Sequence, residues 1–261
     1  MPANPVDALD KSAYFVDNTS TKSVQISVSS EDGREAANVM AGAAGILEVL
    51  RDRVAGEEFD HQVLLEATKG YAYPRDAITR LLRSGAVIRV APGIYVFGPP
   101  YRRRPFSREI LANLIAGPSY VSFEYALQYH GLIPERVEAV TSAIAGRARR
   151  FETPAGLFLY RPVPERAFAQ GLERLEIPGG GYLIASQEKA LADKIRGERG
   201  LGIRNIEQMI AHLVESLRID EQALARLDAA EIDRIAAAYR SYQLRLLAGA
   251  TRRIQQEASH E

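Results

Sequence analysis

The sequence predicts an α+β protein, and three observations carry the prediction. Apolar residues recur at helical spacing through the first third of the chain, two β-rich runs flank Pro92-Gly93, and strands alternate with helices from Ser107 to Arg196.

The first helical stretch begins at Glu35. Ala36, Val39, Met40, Ala43, Leu47, Leu50 and Val54 fall on one face up to Gly56. Gly42 and Gly45 weaken it, each by about 1 kcal/mol relative to Ala. A second, shorter helix has Asp60 as its N-cap, with Val63, Leu64 and Ala67 inward, and ends before Gly70. The third opens at Pro74, whose missing N–H costs nothing at a first helical position. Ala77, Ile78, Leu81 and Leu82 share one arc, at about 100° per residue. Arg75, Asp76, Thr79, Arg80 and Arg83 share the opposite arc, and Ser84-Gly85 stops the helix. The runs Ala86–Val90 and Ile94–Phe97 then pair around Ala91-Pro92-Gly93, where glycine supplies positive φ. Helix, helix, arginine-faced helix and hairpin, in that order, spell a winged helix-turn-helix over residues 36–98.

Residues 1–35, rich in Ser, Thr, Asp and Asn, read as a poorly ordered leader, with one short strand suggested by the alternation of Val24, Ile26 and Val28. Residues 99–200 read as a mixed α/β domain. It comprises helices over 107–116 and 123–129, strand-like runs over 139–143, 149–153, 157–161 and 182–185, and a helix over 187–196 capped by Ser186. Gly179-Gly180-Gly181 reads as a flexible turn. Residues 201–261 are a helical extension, with segments over 205–217 and 220–227 and a longer one from Ala230 that carries Ile232, Ile235, Tyr239, Tyr242, Leu246 and Leu247. This extension either packs on the preceding domain or offers a partner surface.

Composition narrows the function classes. The 261 residues contain no cysteine, which excludes disulfides, thiolate zinc sites and a cysteine nucleophile. Formal net charge is zero, from 33 basic and 33 acidic residues, so bulk charge announces no nucleic-acid partner. Its distribution does. Between Tyr71 and Pro105 the charged residues are seven arginines and Asp76. Arginine forks onto phosphates and guanine edges, and a local patch is what a small DNA-binding domain needs. No apolar run approaches the ~20 residues of a membrane span, and the first residues lack the basic and apolar regions of a signal peptide. A cytoplasmic protein is expected, with no membrane partner and no cofactor.

On this basis Arg75, Thr79, Arg80 and Arg83 are expected to contact double-stranded DNA from the third helix. Tyr71 and Tyr73 would touch phosphates at its entrance, and Arg89 with the Pro92-Gly93 tip would form the wing. Arg102, Arg103 and Arg104 read either as a basic strap on the phosphates or as a solvated linker. Arg147, Arg149 and Arg150 read as a further extension of the footprint or a solvated strand edge. A winged helix devoted to protein contacts is the alternative to DNA binding.

Three segments resemble the AbiEi family of antitoxins. Arg89-Val-Ala-Pro-Gly-Ile-Tyr-Val96 resembles the end of that family's N-terminal domain. The stretch from Tyr120 to Leu132 is similar to its S-x-x-S-A-L-x-x-H-G-L segment, with Tyr125 in place of the usual small residue. Ala185 to Lys194 is similar to its A-s-x-E-K-A-L-x-D segment. The resemblance covers about residues 40–200. It implies a transcriptional repressor of its own operon, encoded beside a nucleotidyltransferase-like toxin. The system would be of type IV, in which the antitoxin opposes the toxin's effect without a stable complex. A stand-alone regulator without a toxin is the nearest alternative, and direct toxin binding through the leader stays open.

An enzyme is the rival class. The histidines His61, His130, His212 and His260 show no metal-ligand spacing. Gly179-Gly180-Gly181 precedes a strand, whereas a phosphate loop follows one. Glu188, Lys189, Asp193 and Lys194 are the best candidate for a charged site, but Glu188 and Asp193, five apart on one helix, diverge by about 140° and do not readily share a metal. Glu188 near the N-terminus and Lys194 near the C-terminus suit the helix dipole, so helix stabilisation explains this charged group without chemistry. His130, beside a helix-ending Gly131, reads as a cap or core residue. No catalytic or metal-binding residue is assigned.

Overall fold

The computed structural model describes residues 44–198 and 200–260. The leader, its suggested strand at 24–28, and the first turns of the helix expected from Glu35 lie outside the described residues.

Helix α1 (44–53) lays Ile46, Leu47 and Leu50 into a small apolar cluster. A short strand β1 (Glu58–Asp60) leads directly into helix α2 (His61–Thr68), where Asp60 accepts a hydrogen bond from the Val63 amide as the expected N-cap. Helix α3 (Pro74–Arg83) starts with Pro74 and buries Ala77, Ile78 and Leu81. Strands β2 (Val87–Ala91) and β3 (Ile94–Phe97) form the expected hairpin, with Gly93 at φ +80°. The three strands make an antiparallel sheet in the order β1-β3-β2. Strand β1 was not anticipated: three residues are too few to show an alternation.

The central strand β3 is buried along its whole length. Tyr95 and Phe97 enter the cluster built with α1, α2 and α3, while Ile94 and Val96 enter the larger core of the rest of the chain. One strand therefore serves two cores, and the boundary drawn at residue 98 falls inside the single compact unit Gly42–Glu261. Gly98 sets the junction at the other end. It donates to the Ala86 carbonyl at 2.8 Å, and a Cβ there would overlap the Gly85 carbonyl oxygen. The close approach locks the end of α3 against the exit of the hairpin.

Beyond a single turn at Pro99–Tyr101, helix α4 (Arg108–Ile115) is capped by Ser107. There follow β4 (Ser119–Val121), α5 (Phe123–Tyr129), β5 (Val140–Ile144), β6 (Arg149–Thr153) and β7 (Gly156–Pro162). Next come α6 (Glu165–Phe168), β8 (Leu172–Ile177), β9 (Gly180–Ala185) and α7 (Gln187–Gly197), the last capped by Ser186 as expected. The six strands form one mixed sheet, ordered β6-β7-β5-β4-β9-β8. β4 runs parallel to β9 and β5 parallel to β7, and the other pairs are antiparallel. The chain is thus mixed α+β, as the sequence predicts.

The triglycine is not a turn as a whole. Only Gly179, at φ +100°, lies in the turn, and Gly180 and Gly181 belong to β9. Their lack of side chains answers close packing: a Cβ on Gly181 would meet the Glu176 carboxylate, and one on Gly180 the Ile110 side chain.

The C-terminal segment is α8 (Ile206–Ala211), continued by wider turns over His212–Ser216, then α9 (Glu221–Ala225), α10 (Ala229–Tyr239) and α11 (Tyr242–Ala258). The long helix expected from Ala230 is therefore two. Arg240 takes a left-handed conformation, φ +52°, and Ser241 caps α11. Met209, Leu213, Leu224, Ile232, Ile235, Leu244, Leu247 and Ile254 all enter the large core. Of the two expectations for this extension, packing on the preceding domain is the one observed.

Candidate functional site

Helix α3 presents its arginines as its apolar spacing requires. With Ala77, Ile78 and Leu81 buried, Arg75, Asp76, Thr79, Arg80 and Arg83 are all exposed. Over ten residues the helix is about 15 Å long, and residues 75, 79 and 83 form one stripe along it. The Thr79 hydroxyl donates to the Arg75 carbonyl at 2.9 Å, so its remaining polar capacity is as an acceptor. At the N-terminus, Tyr73 supplies no side-chain cap and Pro74 no donor. The Arg75 and Asp76 amides precede the first intrahelical bond, from Ala77 to the Tyr73 carbonyl. Uncapped amides and the positive end of the helix dipole favour an anion there.

The electrostatic contrast with the rest of the surface is informative. Arg136, Arg150, Arg174, Arg218, Arg234, Arg252 and Arg253 each hold a carboxylate. Among the described residues, Arg75, Arg80, Arg83 and Arg89 have no carboxylate partner. An exposed ion pair contributes little to stability, at most about 1 kcal/mol. The unpaired set therefore matters for the uncancelled field it leaves, which acts on an approaching polyanion.

The other candidate residues divide. Tyr73 is 73% exposed beside the open helix end. Tyr71 is half-buried, packed on the small core with its hydroxyl against Gly45, so its ring serves α1 as well as facing solvent. Arg89 and Pro92 are exposed and Gly93 half-exposed, while Val90, Ala91 and Ile94 seat the hairpin's other face on the large core. In the triplet after the hairpin, Arg102 donates to the Phe97 carbonyl through Nε and Nη2, at 3.3 and 3.2 Å, and stacks over Phe106. Arg104 donates to the Ala55 carbonyl and lies on Gly179. Arg103 is exposed, and its amide donates to Glu57. Two of the three guanidiniums thus pin the connection to its own fold. Arg147 and Arg149 are exposed on or beside the edge strand β6, which touches β2, so this second basic group adjoins the first.

No protein-family model matches the chain, and no curated protein resembles it closely enough to count as a relative.

A second polar cluster lies on α7, within the charged group that the sequence reads as helix stabilisation; its burial and its tyrosine partners are not visible in the sequence. Lys189 and Asp193, one helical turn apart on α7, are both fully buried and 2.9 Å apart. The Lys189 ammonium also donates to the Ala167 carbonyl at 2.9 Å and to the Tyr239 hydroxyl at 3.2 Å. Asp193 accepts from Tyr239 at 2.5 Å through Oδ1, and from Tyr120 at 2.9 Å and Ser122 at 2.7 Å through Oδ2. Burial pushes the Lys189 ammonium below the ordinary lysine value, against the opposing pull of Asp193. Burial and then the Asp193 charge push the Tyr120 and Tyr239 hydroxyls far up, so both remain donors. With both carboxylate oxygens engaged, Asp193 has little capacity left for proton transfer, and the cluster acts as a polar tie between β4, α7 and α10. The dipole explanation holds for Glu188 and Lys194, in the first and last turns of α7, but not for Lys189 and Asp193.

His130 is the C-cap of α5 and its Nε2 lies 2.8 Å from the Ala185 carbonyl, a structural placement. Among the described residues, no three His, Asp or Glu side chains converge as metal ligands, and no helix is long and apolar enough to cross a membrane.

Proposed function

We propose that this protein is a cytoplasmic transcriptional repressor that binds double-stranded DNA through a winged helix-turn-helix. It would act as the antitoxin of a type IV, AbiE-like system that regulates its own operon. Helix α3 enters the major groove, whose width of about 12 Å suits a single helix. Arg75, Thr79, Arg80 and Arg83 face the bases and flanking phosphates, Tyr73 and the open N-terminus of α3 meet a phosphate, and Arg89 and Pro92 approach the backbone from the hairpin. Arg103 reaches the backbone from the connection, while Arg102 and Arg104 hold that connection in place.

The observation that carries the proposal is the set of exposed arginines on α3 and β2 without carboxylate partners, on a surface where many other arginines are paired. The antitoxin role rests on the resemblance of residues 89–96, 120–132 and 185–194 to the AbiEi family. It makes a nucleotidyltransferase-like toxin the functional partner, opposed without a stable complex.

The test is a gel-shift titration on the DNA upstream of the protein's own gene, with competitor DNA and at two salt concentrations. A sequence-preferring shift is expected, with log K falling by about 0.9 per phosphate neutralised for each log unit of salt. Arg75→Ala with Arg80→Ala should weaken it by about 1–3 kcal/mol for each base-reading arginine removed. Unchanged affinity in that variant would remove α3 as the recognition helix. Absence of any shift at low salt would turn the fold toward protein contacts. Toxin rescue in cells carrying the partner gene tests the second half of the proposal.

A further inference from the structure

Between the large sheet and helices α7 and α10 lies a cleft of about 540 Å³, bordered by Phe123, Arg161, Pro164, Asp193, Arg196 and Tyr239. Small-molecule sites typically span about 300–1,000 Å³, and the cleft falls inside that range. We propose that the cleft receives the phosphoryl group of a small organic anion, gripped between Arg161 and Arg196. This goes beyond the DNA-binding proposal and does not depend on it.

The charges at the cleft favour an anion. Its lining carboxylate, Asp193, is compensated by Lys189 and engaged by three hydroxyl donors. Arg196 is exposed at the cleft and, among the described residues, has no carboxylate partner. Arg161 gives Nη1 to Glu124 at 2.9 Å, which leaves Nε and Nη2 without a hydrogen-bond acceptor among the described residues. Glu124 is itself shared with Lys194 at 3.1 Å, so it does not cancel both cations. Two guanidiniums with free donors suit a dianionic phosphoryl group better than a single carboxylate, because each can fork onto a different pair of oxygens.

The geometry is also fixed in advance. The Arg161 guanidinium lies over the Phe123 ring, 4.9 Å from its centroid. Phe123 has φ +57°, a left-handed conformation that costs a bulky residue about 1–3 kcal/mol and tends to persist at ligand sites. It is held there by its neighbours: Ser122 exchanges hydrogen bonds with Thr141 and anchors on Asp193, and Thr141 accepts from the Tyr125 amide. The buried Lys189–Asp193 cluster thus positions the ring that orients Arg161. Pro162 and Pro164 supply an apolar wall for the organic part of the ligand.

The experiment is calorimetric titration of the full chain with inorganic pyrophosphate and with AMP, in a buffer free of phosphate and sulfate. Saturable one-site binding is expected, weakened about tenfold or more by Arg196→Ala, as loss of a charge-assisted hydrogen bond implies. Arg196 is exposed, so that variant should keep the wild-type thermal melt, whereas Arg161→Gln also disturbs Glu124 and serves as a second probe. The Arg75→Ala/Arg80→Ala variant should bind both probes like the wild type. No saturable heat at millimolar ligand, or equal binding by Arg196→Ala, would overturn the proposal. So would loss of binding in the α3 variant, which would place the anion on that helix. Displacement of AMP by duplex DNA from the wild-type protein would also overturn it, by assigning the phosphate site to nucleic acid.

Discussion

Replacing Lys189 by Met would strand a buried carboxylate. Asp193 would keep its hydrogen bonds from Tyr120, Ser122 and Tyr239 but lose the ammonium 2.9 Å away. Breaking a buried pair from one side costs about 3–5 kcal/mol. The three remaining donors place the expected loss near the lower end, about 3 kcal/mol. For a folded unit of roughly this size, 1 kcal/mol moves the melting temperature by about 2–4 °C, so a fall of roughly 6–12 °C is expected. Asp193→Asn should cost a similar amount, because it leaves the ammonium with neutral acceptors alone and turns one oxygen that accepts from hydroxyl donors into an NH2 donor. The double variant, with both charges gone, should cost less than the sum of the two by about 1–3 kcal/mol. Urea unfolding at constant m-value measures all three. Additive losses, or a Lys189→Met variant within about 0.5 kcal/mol of wild type, would refute the account of this cluster as a mutually compensated pair.

Two further outcomes follow from the packing. Gly98→Ala drives a methyl group into the Gly85 carbonyl oxygen, a backbone atom that no rotamer change can move. It should destabilise the protein by about 1–3 kcal/mol or more in a urea melt, and, on the proposed function, it should also weaken the gel shift, because the end of α3 is seated there. Glu124→Gln reports on pH. Burial by itself would raise the Glu124 pKa, but the hydrogen bond from Arg161, its own backbone N–H, and the charges of Arg161 and Lys194 hold it below the usual value of 4.5. The unfolded chain therefore binds the proton more readily, and the stabilisation is present above pH 4.5 and lost as pH falls through the folded value. The wild type should lose stability more steeply than Glu124→Gln below pH 4.5, and parallel acid melts would contradict this.

Local order was legible in the sequence wherever a short-range pattern specifies it. Asp60, Ser107 and Ser186 each mark a helix start by accepting from an amide three residues on, Pro74 marks one by the N–H it lacks, and Gly93 marks the hairpin turn by its positive φ. The exposed arginine face of α3 followed from the spacing of Ala77, Ile78 and Leu81, because burying one arc of a helix exposes the opposite arc. The break between α10 and α11 was missed, since Arg240 is not a residue type that announces a left-handed turn. Strand β1 was missed for its brevity, and two of the three glycines at 179–181 were misread because their need for no side chain comes from Glu176 and Ile110.

The amino-acid order alone therefore settled the α+β class, the arginine-faced helix and its hairpin, since each depends on neighbours within a few residues. The folded chain added what depends on distant partners. It seats β3 between two cores, commits Arg102 and Arg104 to backbone carbonyls, and buries Lys189 and Asp193 under Tyr120 and Tyr239. A lysine and an aspartate one turn apart look the same in sequence whether they face water or the interior. The difference lies in Tyr120 and Tyr239, dozens of residues away, whose hydroxyls replace the water that such charges otherwise need.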